Sequence, residues 1–405
     1  MNLLRWLSFA WANTRRNRRR SAVTVAVAAL GTAAMLSAGG FALDAYLNLQ
    51  QQAARNTGHL IIGKPEQFSR DEDVPLQYGL DDAKGLTQRL LADPAVRHVL
   101  PRVQFSGLIS NGDKSTVMMA AGVDADNEFV VKGPFLTVTE GGVLDSRHPG
   151  SVMLGDGLAR SMKAKPGTSL TLLASTSTGA LNAVDVIVQG VFSTGVTELD
   201  KRLVYTDVAT AQQLLVTQRI SSLGVFLRGM DDTLPAQARL APTLPGLEVQ
   251  TWLDQAAFYR SVRAIYNRIF GALGLIIAVI VIFVVANAMA MAVIERTREI
   301  GTLRALGTLP GQLQRSLALE GLLLGGIGAI GGAAIALGLS LLLLVAGLQM
   351  PPPPGRSTGY PLHIAIDGSM YAGVLLGMVL LSTLASAWIA RKTVNRPIVE
   401  ALAHV

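Results

Sequence analysis

The nearest this chain comes to a nucleotide-binding motif is Gly107-Leu-Ile-Ser-Asn-Gly-Asp-Lys-Ser115. A phosphate loop cradles its ligand with backbone N–H groups and needs its second glycine directly before the lysine. Here Asp113 stands between Gly112 and Lys114, and the flanks are strand-like, so Asn111-Gly112 reads as a hairpin turn. No His-Glu-x-x-His pair and no Gly-x-Ser-x-Gly elbow occurs. The five histidines, His59, His98, His148, His363 and His404, are isolated along the chain. There is no cysteine, which excludes disulfides, thiol catalysis and zinc–thiolate sites. The expectation is a chain with no catalytic residue, no metal site and no cofactor bound by the chain itself.

What remains is recognition chemistry, concentrated in a charged knot, Glu295-Arg-Thr-Arg-Glu-Ile-Gly-Thr-Leu-Arg-Ala-Leu-Gly307. At helical spacing Glu295, Arg298 and Glu299 fall within one turn of each other, as do Ile300, Leu303 and Leu306. That predicts a short helix with a charged side for a partner and an apolar side for a membrane. Gly307 is placed to end it, and Thr308 with Pro310 to start the next helix.

The elements that hold this knot are membrane spans. Residues 269–294 before it and 321–348 after it carry no charge, and each exceeds the roughly 20 apolar residues a helix needs to cross a bilayer core of about 30 Å. Two further uncharged runs occupy 21–43 and 368–390. Basic residues flank them at Arg15 to Arg20, in 296–315, and at Arg391, Lys392 and Arg396. Positive flanks stay on the cytoplasmic side, so both termini and the 295–315 loop are expected inside, with 44–263 and 349–367 outside. Pro351 to Pro354 are expected to end the third span. A basic region before an apolar run also describes a signal peptide. The length of the run and the aromatic, amphipathic residues 1–11 favour an uncleaved anchor that rests at the membrane interface, in contact with lipid. In the third span Gly321, Gly325 and Ala329, then Gly328 and Gly332, recur every four residues, the spacing that lets helix backbones approach closely. Glu320 at its inner end is expected to make a packing contact rather than to handle substrate.

Composition agrees. Half of the 405 residues are hydrophobic and 16% are charged, which a soluble globular chain of this size rarely matches. The net charge of +7 is gathered at span ends instead of spread over a face, so nucleic acid is not an expected partner.

The outer segment reads as mixed α and β. Strands are predicted at 60–62, 99–109, 116–123, 170–173, 184–191 and 224–227, and helices at 81–92, 157–163, 208–217 and 233–241. Asp81 or Asp82 is placed to cap the first of these helices and Asp207 the third. Residues 46–55 and 254–268 look like helical stalks that join the domain to the first two spans. The predicted plan is therefore a polytopic α-helical membrane protein with four transmembrane helices and a large mixed α/β extracytoplasmic domain between the first and second. Its segments are 1–20, 21–43 (span), 44–263 (outer domain with stalks), 264–294 (span), 295–315 (loop), 316–348 (span), 349–367, 368–390 (span) and 391–405.

This order resembles the ABC transporter permease family of MacB, FtsX and the lipoprotein-releasing LolC and LolE. The block Arg296-Thr-Arg-Glu-Ile-Gly-Thr-Leu-Arg-Ala-Leu-Gly307, then Gln312 and Glu320-Gly321, carries the strongest likeness, and Arg396-Pro-Ile-Val-Glu-Ala-Leu402 is similar to the family's closing segment. Val152-Met-Leu-Gly-Asp-Gly-Leu-Ala-Arg160 and Val188-Gln-Gly-Val-Phe-Ser-Thr-Gly-Val-Thr-Glu-Leu-Asp200 resemble the periplasmic core, the second nearest the lipoprotein-releasing branch. The resemblance implies an FtsX-like permease domain at 264–402 and a MacB-like core at 44–263, in a bacterial inner membrane. It implies ATP on a separate cytoplasmic ATP-binding subunit, two copies of which grip the loop helix of each permease. Glu295, Arg298, Glu299, Gly301, Arg304 and Gly307 are then the coupling positions. A second permease chain, identical or homologous, and a periplasmic lipoprotein carrier or adaptor complete the implied partners. The implied work is mechanical release or export of lipoprotein, lipid or another amphiphile. A MacB-like efflux permease for drugs or peptides, and an FtsX-like regulator of a cell-wall hydrolase, are the alternatives.

Overall fold

The computed structural model describes residues 3–16, 18–133, 136–295, 297–351 and 359–394. Two helices come first, α1 (Leu3–Arg16) and α2 (Arg18–Thr57). Then follow β1 (Leu60–Gly63), α3 (Pro65–Ser69), α4 (Ala83–Leu91), β2 (Val96–Ser110), β3 (Ser115–Val123), α5 (Glu128–Lys132), β4 (Thr137–Gly141), β5 (Ser151–Gly155) and α6 (Asp156–Met162). The mixed region continues with β6 (Ser169–Ser175), β7 (Leu181–Ser193), α7 (Thr197–Asp200), β8 (Leu203–Asp207), α8 (Val208–Leu215), β9 (Ser222–Leu227), α9 (Thr233–Leu240), β10 (Glu248–Thr251) and α10 (Trp252–Gln255). Helices α11 (Ala257–Glu295), α12 (Thr297–Ala305), α13 (Pro310–Ala346) and α14 (Gly368–Val394) close the described chain.

The chain forms two compact units, one of Met1–Tyr46, Val262–Gln349 and Pro361–Val405, the other of Leu47–Ser261 with Met350–Tyr360. In the first, four helices are long and apolar enough to cross a membrane, within Arg18–Thr57, Tyr259–Glu295, Pro310–Ala346 and Gly368–Lys392. A helix satisfies its own backbone polar groups, which a bilayer interior demands. Val281, Val285, Met289 and Val293 of α11 form the buried seam of this bundle with Leu313, Leu317 and Leu324 of α13 and Met378 and Ala385 of α14. The third span does not end at the prolines. Gly347 takes the left-handed conformation at φ +59° and its N–H bonds Leu343 O at 3.1 Å, so the helix stops at Ala346. Pro352 to Pro354 lie outside the described residues.

In the second unit ten strands run in the order β10-β1-β9-β2-β3-β8-β5-β7-β4, with β6 bridging β2 and β7. Pairing is antiparallel except for β3 with β8 and β5 with β7. The core buries Leu60, Ile62, Val99, Met118, Leu154, Leu172, Val188, Val204 and Val225 from the strands against Leu86 and Leu90 of α4 and Leu214 and Leu215 of α8. Asp82, not Asp81, caps α4, its Oδ1 accepting the Gly85 N–H at 2.9 Å; Asp207 caps α8 through Thr210 N at 2.8 Å. The β2–β3 hairpin turns at Gly112, where φ is +90° and the Asn111 side chain accepts the Lys114 N–H at 2.8 Å. One expected stalk is interrupted. Asp254 closes a capping box on Thr251, at 2.8 Å to both its N–H and hydroxyl, so α10 is a separate short helix and the chain breaks at Ala256 before α11.

Candidate functional site

In the membrane-helix unit the charged knot divides between the end of α11, which holds Glu295, and α12, which holds Arg298, Glu299, Gly301 and Arg304. Gly307, at φ +94°, follows α12, and Thr308 N bonds back to Leu303 O at 3.0 Å, so the chain turns sharply there. Thr308 does not start the next helix. Leu309 occupies the cap position without a side-chain bond, and Pro310 at the first turn has no N–H to satisfy. Gly301 is buried, Arg304 half-buried and Gly307 exposed. Arg296 and the side chain of Arg298 lie outside the described residues, as does the segment 395–405.

The acids of the knot meet arginines of the N-terminal helices. Arg16 Nη2 donates to both carboxylate oxygens of Glu299 at 2.8 and 2.9 Å. Arg20 forks onto Glu295 with contacts of 2.9 and 2.5 Å. Arg16 and Glu299 are each more than half exposed, so that pair contributes at most about 1 kcal/mol. The two clamps tie the end of α11 and the start of α12 to α2 and α1. The apolar residues of the knot do not share one environment: Ile300 of α12 packs on the buried bundle seam, whereas Leu306, in the turn after α12, is 79% exposed.

Deeper in, Glu320 is buried and its Oε1 accepts the Asn13 side-chain amide at 2.7 Å. Arg20, Ser21, Thr24 and Met289 join this pair around a cavity of about 20 Å³, room for one water. The glycines of α13 face two different helices. A Cβ at Gly321 would lie 1.9 Å from Ser386 Oγ and one at Gly325 would lie 2.1 Å from Ser382 Oγ, both on α14. At Gly328 it would meet Ala28 Cβ at 2.5 Å, and at Gly332 the Ala29 carbonyl at 2.3 Å, both on α2.

Asn13, Arg16 and Arg20 were not among the expected site residues, since basic residues beside an apolar run read first as topology signals. Arg16 and Arg20 stand four apart, as do Glu295 and Glu299. That matched spacing was the available clue. Among the described residues no group of three His, Asp or Glu side chains could hold a metal ion.

Comparison with known proteins gives two family matches. Residues 21–243 match the MacB-like periplasmic core domain, and residues 271–398 match the FtsX-like permease C-terminal segment. The lipoprotein-releasing system transmembrane protein LolE of Haemophilus influenzae is 28% identical over 277 residues, covering 66% of this chain and 66% of that protein. LolC of Xylella fastidiosa is 25% identical over 320 residues, covering 75% of this chain and 77% of that protein. The chain thus spans just under two thirds of the LolE relative's length. Among solved structures, the periplasmic region of MacB from Actinobacillus actinomycetemcomitans aligns with a TM-score of 0.35 at 16% identity, covering 49% of this chain and 92% of that one.

Proposed function

This chain belongs to the MacB-like periplasmic core domain family, with an FtsX-like permease segment behind that domain, and we propose that it is the permease subunit of an ABC transporter that releases lipoprotein or lipid from the outer leaflet of an inner membrane. The observation that carries the reading is the pair of matches, 21–243 and 271–398, which takes in the first span with most of the α/β unit and most of the last three spans. The LolE and LolC relatives, which cover 66% and 75% of this chain, support the substrate class. In this reading ATP is bound and hydrolysed by a separate cytoplasmic subunit. That subunit pushes on α12 and its flanks, at Glu295, Arg298, Glu299, Gly301, Arg304 and Gly307. Helices α2 and α11 carry the displacement to the α/β unit, which hands the cargo to a periplasmic carrier. Both termini are cytoplasmic, and the permease works as a pair with an identical or homologous chain.

Depletion of the chain tests this. Lipoproteins destined for the outer membrane should accumulate in the inner-membrane fraction, measured by density separation and immunoblotting. Normal sorting with raised sensitivity to drugs or peptides would reject lipoprotein release in favour of efflux, and normal sorting with a cell-separation defect would favour control of a wall hydrolase.

A further inference from the structure

In the α/β unit the last turns of α2, the start of β2 and the chain leaving β9 surround a cavity of about 300 Å³. Arg55, Arg97 and Arg228 line it, with His59 and His98, and no acidic residue lines it. Arg55 is engaged, its Nη1 donating to the Val131 carbonyl at 3.4 Å, and with Arg97 and Arg228 it gives the hollow a positive field that favours an anion. Among the described residues no acid forms a salt bridge with Arg97 or Arg228. The backbone places these two arginines by a specific device. The β2–β9 ladder slips between Val96 and His98, which makes Arg97 the bulged residue, and bulges re-aim side chains. Across the ladder, Arg228 N donates to Ala95 O at 3.2 Å, so both side chains leave the sheet at the same end. His59 is held as a neutral imidazole. Its Nδ1 accepts the Leu227 N–H at 3.2 Å, which leaves the ring proton on Nε2. Burial, then the Arg55 charge, depress its pKa below the usual histidine value, against a weaker opposite pull from Asp232. The remaining wall is apolar, with Phe226, Met230 and the 72% exposed Val130.

We propose that this cavity binds a phosphate-bearing amphiphile, with the phosphate in the forks of Arg97 and Arg228 and the adjoining carbons against Phe226 and Val130. Guanidinium forks match phosphate oxygens in geometry and charge, and a site of this size takes a headgroup with its first few carbons rather than a whole lipid. The inference rests on the α/β unit's own geometry and needs neither ATP nor a permease partner.

The test uses the full-length chain in a neutral detergent, with bound ligand counted by native mass spectrometry. The probes are dihexanoylphosphatidylglycerol, dihexanoylphosphatidylcholine and inorganic phosphate. The anionic lipid should bind about tenfold more tightly than the zwitterionic one and much more tightly than inorganic phosphate. Its affinity should fall by about tenfold in the Arg97→Gln/Arg228→Gln variant and not in Arg160→Gln, a surface control. Both target arginines are exposed, so folding should hold; unchanged thermal melting checks it. If the double variant melts early, Arg97→Lys/Arg228→Lys keeps the charge, loses the forks and should still bind about threefold more weakly. Equal binding by wild type and variants overturns the site. Inorganic phosphate binding as tightly as the lipid overturns the amphiphile, and equal affinity for the two lipids overturns recognition by charge.

Discussion

Glu128 lies buried between two cations, with Arg102 Nη2 at 2.7 Å and Lys132 Nζ at 3.3 Å, and none of the three side chains is more than 7% exposed. Each cation has a further anchor. Arg102 donates to the Asn56 carbonyl, while Lys132 donates to the Tyr205 hydroxyl at 2.5 Å and sits 3.8 Å from that ring's centroid. A buried triad of this kind adds little net stability, because three desolvations offset its Coulomb gain. Removing its centre is another matter, since two cations are left facing each other without water. Glu128→Ala should therefore destabilise the α/β unit by about 3–5 kcal/mol, read as faster hydrogen exchange across β2, β3 and β8 in the full-length chain. A loss below about 1 kcal/mol would show that water reaches the site. The i,i+4 spacing of Glu128 and Lys132 was visible in the sequence. Arg102, 26 positions earlier, was not, because only the β2–β3 pairing brings it there.

Among elements, what the sequence showed depended on how each one is buried. β2 and β7 alternate over long stretches and were predicted within a few residues of their ends. β5 is buried at all five positions and β4 exposed at all five, so neither alternates, and both escaped prediction along with β8 and β10. The helices of the membrane unit were legible because four uncharged runs need no periodicity to be seen. In α13 the four-residue recurrence of small residues states that something packs closely; it does not state that the upper and lower glycines face different helices. That division makes a sharp prediction. Gly332→Val would drive its Cβ into the Ala29 carbonyl, which is backbone and cannot move aside, and should cost about 1–3 kcal/mol or more. Gly338→Val on the same helix, with nothing within 4 Å of its Cβ, should leave stability nearly unchanged. Melting of the detergent-solubilised chain compares them, and equal melting temperatures would count against the α2–α13 contact.

For the whole molecule the decisive question is what Glu299 answers to. A charged side on a short loop reads, in sequence, as a surface held out to another subunit. In the fold Glu299 and Glu295 are answered first by Arg16 and Arg20 of the same chain, residues whose charge had a sufficient explanation in topology. Two roles follow for these acids and they predict different experiments. If Glu299 touches the proposed ATP-binding subunit directly, reversing it damages the proposed coupling and no change within this chain repairs it. If Glu299 orients α12 by holding α1, reversing it breaks a solvent-exposed pair worth at most about 1 kcal/mol, and reversing the other partner restores it. The contact of Arg16 Nη2 with both carboxylate oxygens favours the second role. In a reconstituted complex, Glu299→Arg alone should lower ATP-driven cargo release by roughly two- to fivefold, the range that a pair of this strength allows. Arg16→Glu alone should do the same. The Arg16→Glu/Glu299→Arg swap should return release to within about twofold of wild type, with the ATP-binding subunit still co-purifying throughout. Loss of co-purification in Glu299→Arg, unrepaired by the swap, would instead assign the carboxylate to the partner's surface and leave Arg304 and the exposed Leu306 just past α12 as its neighbours in that contact.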